Sequence, residues 1–287
     1  MRRAGYDLAI DFHGGPRASL LTLLSGAARR IGYNVAGRSW MYTDVVDRPR
    51  ELRRRHSVQN QWDLIGAVVT GRPAPDRNPV EMPLLGEARI AVERRLGAAG
   101  VGPDENLAVI HVGASSPFRR WPMASFVDTV VALASQARRR VIVTSGPAER
   151  AAVAEIIEKA RTKIAEPVRD HVLDCGDLSL AELRALLERS AVYIGGDSGP
   201  LHIAATTGVP IVAIFGPTPS ERSAPWRNPA IPFEVIEIDG LPCRPCDQRV
   251  CEPGDFRCLT HIAAPRVIAA AERLLAARRD SRESVAR

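Results

Sequence analysis

Residues 195–202 read GGDSGPLH, set directly behind the apolar run AVYI at 191–194 and directly before IAATTGVPIVAIFGPT at 203–218. An apolar strand that stops at two glycines and resumes as a helix with proline in its first turn is a strand-to-helix turn. In an open parallel sheet such turns gather at the carboxyl ends of the strands, where ligands bind. Asp197 or Ser198 suits the helix N-cap, Gly195, Gly196 and Gly199 let an anion approach the backbone, and the free N–H groups of the first turn point toward it. The stretch predicts a phosphate or diphosphate cradle, with His202 one turn inside the helix. The same letters also suit an ordinary capped helix with a core histidine, and spacing alone leaves both readings open.

Outward from this turn the chain alternates apolar strands with amphipathic helices. Strands are predicted at 107–112, 140–144, 168–173, 191–194 and 210–215, with helices at 123–137, 148–162, 180–189 and 200–207 between them. Runs such as LAVIHV and PIVAIF are apolar throughout, as parallel strands covered on both faces should be. The second half therefore reads as a doubly wound α/β domain. Upstream, 6–12 and 29–35 read as extended, with helices at 16–25, 56–70 and 86–96. The proline-rich GRPAPDRNPVEMP at 71–83 reads as a linker or surface crossing. The arginine-rich end, ARRDSRESVAR at 277–287, reads as disordered.

A chain of 287 residues, 45% hydrophobic, suits two domains. Its net charge of +6 favours anionic partners such as phosphates, acidic lipids or nucleic acid. Nucleic acid is disfavoured because the basic residues lack interleaved aromatics on a recognisable module. No G-x-G-x-x-G follows a strand and no G-x-x-x-x-G-K-[ST] is present, which disfavours dinucleotide oxidoreductases and P-loop enzymes. Asp7 and Asp11 interrupt the first apolar stretch, so it does not read as an export signal, and no run reaches the ~18 apolar residues of a membrane span. The expected location is the cytoplasm. Of five cysteines, Cys243, Cys246, Cys251 and Cys258 cluster as C-x2-C-x4-C-x6-C. The second pair lacks the close spacing of a zinc ribbon, so the cluster reads as a loop of reduced thiols, with a metal site as the alternative. Cys175 reads as a small core residue.

Two more strand ends carry chemistry. GASSPFRRWP at 113–122 offers hydroxyls at Ser115 and Ser116 and cations at Arg119 and Arg120; a guanidinium fork suits a diphosphate. SGPAER at 145–150 places Glu149 in the first turn of a helix, where it either favours the helix dipole or accepts hydrogen bonds from a ribose diol. Together the three turns describe a nucleotide-diphosphate site better than any one of them does.

The block DSGPLHIAATTGVPIVAIFGPT, the following SAPW at 223–226, GASSPFRRWP, the cysteine-bearing tail and YDLAIDFHGGPRASLLTLLSGAARRIGY near the start resemble glycosyltransferase family 9, the ADP-heptose:lipopolysaccharide heptosyltransferases. The resemblance spans nearly the whole chain. It implies a GT-B architecture of two Rossmann-like doubly wound domains: a truncated acceptor-side domain over 1–98, a nucleotide-sugar domain over 99–262, and a C-terminal helix and basic tail over 263–287. By position, Asp197, Ser198, Gly199 and His202 contact the donor, Ser115 and Arg119 its diphosphate, and Glu149 its ribose. The family commonly has lysine where this chain has Arg119. The aspartate that serves such enzymes as base lies in a first strand–turn–helix unit with no counterpart here; Asp11 and His13 are substitutes by location. The implied reaction is inverting and needs neither metal nor cofactor, and no D-x-D pair marks the strand ends. The acceptor would be an anionic lipopolysaccharide core, met by the basic stretch containing Arg53, Arg54 and Arg55, and basicity suits contact with the inner membrane surface. Absence of the base would instead leave an inert nucleotide-sugar-binding module.

Overall fold

The computed structural model describes residues 2–47, 55–136 and 139–285. The chain divides into two compact units, Met1–Arg77 and Asn78–Arg287.

In the first unit, strands β1 (Leu8–Asp11), β2 (Arg29–Tyr33) and β3 (Asp44–Val46) form a parallel sheet in the order β1-β2-β3. Helix α1 (Pro16–Leu24) joins β1 to β2, and α2 (Ser57–Ile65) follows β3. Pro16 stands at the start of α1, where its missing N–H costs nothing. Ile31, Tyr33 and Leu64 make a small core. At β2 the chain needs glycine, because a Cβ on Gly32 would fall 2.3 Å from the Tyr42 ring.

The second unit begins with α3 (Gly86–Ala98) and continues β4 (Asn106–His111), α4 (Met123–Ala134), β5 (Arg139–Thr144), α5 (Arg150–Lys163), β6 (Val172–Asp174), α6 (Leu180–Arg189), β7 (Val192–Gly196), α7 (Gly199–Ala205) and β8 (Ile211–Ile214). The short α8 (Ser220–Ser223), strand β9 (Phe233–Ile236), short α9 (Arg257–Thr260) and long α10 (Ala264–Val285) complete it. All six strands are parallel, in the order β6-β5-β4-β7-β8-β9. Chain progress runs outward from β4 to one edge, then returns to β7 and runs to the other. The order therefore reverses between β4 and β7, and the crevice of a doubly wound sheet opens at their carboxyl ends.

The strands are apolar throughout because alternate residues enter different cores. Ala108, Ile110, Val141, Val143, Val192, Ile194, Val212 and Ile214 pack under α4, α5 and α10. Leu107, Val109, Ile142, Tyr193, Ile211 and Ala213 pack under α3, α6 and α7. Each buried Leu, Ile or Val contributes about 1.5–3 kcal/mol.

Several boundaries differ from those expected. The units divide at Arg77, inside the proline-rich stretch, rather than at 98, because α3 belongs to the second core: Ala88, Val92 and Leu96 pack with Leu183 and Leu186. Arg95 adds contacts to Cys175 O (3.1 Å), Asp177 O (2.6 Å) and Glu182 (2.9 Å). Nor does 263–287 stand apart, since Val267, Ala270, Ala271 and Leu274 of α10 are buried in the core of the six-stranded sheet. Helix continues to Val285 through most of the arginine-rich end expected to be disordered. The expected strand at 168–173 shrinks to Val172–Asp174, preceded by a single tight turn over Val168–His171. Two further strands, β3 and β9, lie outside the expected set.

Candidate functional site

The turns after β4, β5 and β7 converge on the point where the strand order reverses. Asp197, on the turn after β7, is 6% exposed and lies 3.3 Å from Arg119 Nη1 on the turn after β4. The Ser223 hydroxyl donates to the other Asp197 oxygen at 3.3 Å. Arg119 Nε donates to Gln248 Oε1 at 2.8 Å, and Gln248 Nε2 reaches Thr218 Oγ1 at 3.4 Å. The guanidinium is thus fixed from two sides, and its Nη2 has no partner among the described residues. Gln248 accepts an unfavourable φ of 61° in the left-handed region, as residues at ligand sites often do.

Capping differs from expectation. Ser198 occupies the N-cap of α7 without a side-chain bond to the helix, and its hydroxyl turns back to Gly196 O at 3.3 Å. Asp197 is committed to Arg119 and Ser223; in the first turn of α7 Leu201 N already donates to Ser198 O at 3.1 Å and Pro200 has no N–H, which leaves the Gly199 N–H uncapped among the described residues. The glycines also divide in role. Space beside Gly199 is open, but a Cβ on Gly195 would fall 2.3 Å from the Tyr193 hydroxyl, and one on Gly196 would fall 3.3 Å from Arg119 O. Gly195 is there for packing, not for anion approach. His202 is exposed on α7; partial desolvation lowers its pKa and the Asp197 charge opposes this. Ser115 is exposed on the turn after β4.

On the turn after β5, Glu149 Oε1 pairs with Arg120 Nη2 at 3.0 Å, and Arg120 Nε also holds Ala114 O at 3.0 Å. Glu149 Oε2 faces the bare α-carbons of two glycines, 3.4 Å from where a Gly113 Cβ would stand and 3.2 Å from that of Gly146. His111, the last residue of β4, is buried, and among the described residues its side chain makes one hydrogen bond, between Nδ1 and Thr144 Oγ1 at 3.1 Å. Burial lowers its pKa to about 4, so it is neutral at pH 7. His111, Ser223 and Gln248 escaped the sequence reading, and Arg120, expected as a free cation for the diphosphate, instead pairs with Glu149. His111 left a signal, as the one polar side chain inside LAVIHV; Ser223 and Gln248 left none, because their partners are far along the chain.

In the first unit, the buried Asp11 accepts from Tyr42 Oη (2.6 Å), Gly14 N (2.8 Å), His13 N (2.9 Å) and Ser19 Oγ (3.3 Å). Burial alone would raise its pKa, but the four donors outweigh it and hold the carboxyl below its ordinary range. His13 is exposed, with Nδ1 accepting from Gly15 N at 3.0 Å. Arg53 and Arg54 lie outside the described residues. Arg55 is spoken for within its own unit, bonded to Asp63 and, at 2.7 Å, to Asn60 Oδ1.

The four-cysteine loop lines a cavity of about 480 Å³ together with Phe118, Val250 and Phe256. All five cysteines are free thiols. Burial first, then the three neighbouring thiols, raise the pKa of Cys258. Among the described residues no group of three or more His, Cys, Asp or Glu is arranged to hold a metal ion. Cys175 is half-buried against the α3–α6 core, its thiol pushed up to about 11 by desolvation. No helix among the described residues is long and apolar enough to cross a membrane.

The family model for glycosyltransferase family 9 (heptosyltransferase) matches residues 1–254. Lipopolysaccharide heptosyltransferase 3 of Escherichia coli is 34% identical over 186 residues, 64% of this chain and 51% of that protein. Lipooligosaccharide heptosyltransferase 2 of Campylobacter jejuni is 30% identical over 157 residues, 55% of this chain and 47% of that protein. The chain thus spans about half the length of these curated relatives. Among solved structures, a family 9 glycosyl transferase from Veillonella parvula superposes with a TM-score of 0.77 at 22% identity, covering 96% of this chain and 75% of that one. ADP-heptose lps heptosyltransferase II of E. coli follows at 0.73 and 18%, covering 97% and 79%. Both share the fold, two units built on parallel sheets in the GT-B class. With a family model covering residues 1–254 and the same fold in its solved relatives, the chain belongs to glycosyltransferase family 9.

Proposed function

We propose that this chain binds an ADP-sugar where β4 and β7 end, and transfers the sugar, a heptose, to an anionic lipopolysaccharide-core acceptor. The observation that carries the reading is Arg119, held between Asp197 and Gln248 with Nη2 unpartnered, over the uncapped start of α7. The chemistry follows from charge. As the anomeric carbon–oxygen bond breaks, negative charge develops on the departing diphosphate. A guanidinium fixed in advance and the Gly199 N–H at the start of α7 stabilise that charge without reorganising, which supports a metal-independent reaction. Asp197 orients the cation from the protein side, and Glu149, steadied by Arg120, is left to face a ribose. Inversion follows if the acceptor oxygen attacks from the face opposite the diphosphate. The acceptor's anionic groups fit the basic stretch containing Arg53 and Arg54, and the net charge of +6 suits peripheral contact with an anionic membrane surface.

A second reading, binding without turnover, is favoured by one observation: protonating Asp11 would break the four-donor set that holds its turn, so it makes a poor base. Among the described residues His13 Nε2 has no partner, which leaves His13 as the alternative base. Calorimetric titration with ADP tests the site, and Arg119→Ala is expected to weaken binding about tenfold or more, the usual loss of a charge-assisted bond. Unchanged affinity would remove Arg119 from the site. ADP release from ADP-heptose that requires an added core acceptor then separates transfer from binding alone.

A further inference from the structure

Two hydrogen-bond acceptors meet over a gap that glycine keeps open. His111 Nε2 lies 3.0 Å, and Glu149 Oε2 3.4 Å, from the point where a Gly113 side chain would begin. The backbone nitrogen of Gly146 lies 3.3 Å from that point. Neither Nε2 nor Oε2 has a partner among the described residues. The proton on His111 can be placed from its neighbour. Thr144 Oγ1 lies 3.1 Å from His111 Nδ1 and 3.5 Å from Ile110 O. We assign the hydroxyl hydrogen to Ile110 O, which puts the imidazole proton on Nδ1 and makes Nε2 an acceptor. The residue is 5% exposed, yet Nε2 is not itself shut away from solvent: it opens onto the gap, where a ligand hydroxyl can reach it.

Resting on the donor site proposed above, the geometry points to His111 as a specificity-determining contact: its Nε2 and Glu149 Oε2 together accept the two hydroxyl hydrogens of a ribose cis-diol, so the site selects ribonucleoside diphosphates over deoxy ones. A single hydroxyl would satisfy one acceptor and strand the other. The Gly146 N–H fits the complementary need, since a hydroxyl that donates can also accept. Glycine at 113 follows, because any side chain there would occupy the gap.

The test compares ADP with dideoxy-ADP, which lacks both ribose hydroxyls, by calorimetry on the full chain. Wild type is expected to prefer ADP at least tenfold. His111→Phe should reduce that preference about two- to tenfold. A preference unchanged by the substitution would overturn the assignment while leaving the donor site intact; failure of wild type to bind ADP would overturn both. Nitrogen NMR of the wild-type chain gives an answer even where the variant does not fold. The His111 Nε2 resonance should move on adding ADP and stay put on adding dideoxy-ADP, and equal responses to the two would refute the contact.

Discussion

Tyr193 explains a glycine that the turn chemistry alone misattributes. Its ring fills the core beneath β7, and its hydroxyl is buried without a partner among the described residues, 2.3 Å from where a Gly195 Cβ would stand. Gly195→Ala should therefore cost about 1–3 kcal/mol in urea unfolding through overpacking. Tyr193→Phe removes an unsatisfied buried hydroxyl and should be neutral or stabilising by about 1 kcal/mol; a clear loss would mean the hydroxyl has a partner. His111 gives a pH signature. Its pKa of about 4 lies below the ordinary 6.5, so its contribution to stability is complete above pH 6.5 and lost as pH falls from 6.5 toward 4. Between pH 7 and 4 wild type should lose roughly 3 kcal/mol more than His111→Phe, read from denaturant midpoints at each pH. Equal losses would place the ring in solvent. At this level the letters were readable but the partners were not: Asp197 and Ser198 look like caps in sequence, while the acid is claimed by an arginine 78 positions earlier (197 − 119) and the hydroxyl by its own turn.

Elements were readable where local chemistry and tertiary packing agree. Helix α6 has the expected bounds because Ser179 and Glu182 close a capping box at its start. Strands β4, β5, β7 and β8 announce themselves by unbroken apolar runs, since both faces are covered. What the sequence concealed is ownership. Helix α3 is polar enough to pass for a connector, with only Ala88, Val92 and Leu96 turned inward, so its place in the second core is a fact of packing. A fragment starting at residue 78 should accordingly unfold cooperatively, as followed by circular dichroism. One starting at residue 99 uncovers Leu183 and Leu186 and should lose several kcal/mol, or fail to fold. Equal stability of the two fragments would return α3 to the first unit.

Over the whole chain, the doubly wound plan was legible because a parallel sheet requires a crossover helix after each strand, and that rhythm survives in the sequence. Part of its basic content is already engaged within the fold. Arg119, Arg120, Arg139, Arg140 and Arg273 are each paired with a carboxylate, and Arg227 is buried against the Val209 and Thr207 carbonyls, its pKa lowered by desolvation to about 10. ADP binding should therefore weaken only a few-fold between 0.05 and 0.5 M salt, as screening of one or two contacts predicts. A steep log–log dependence with oligonucleotides would instead indicate a nucleic-acid surface. The most direct test of the central claim is a crystal structure of the full chain soaked in ADP. The account predicts the diphosphate between the turns 113–119 and 195–199, bonded to Arg119, with the ribose on Glu149; ADP bound elsewhere, with those turns empty, would contradict it.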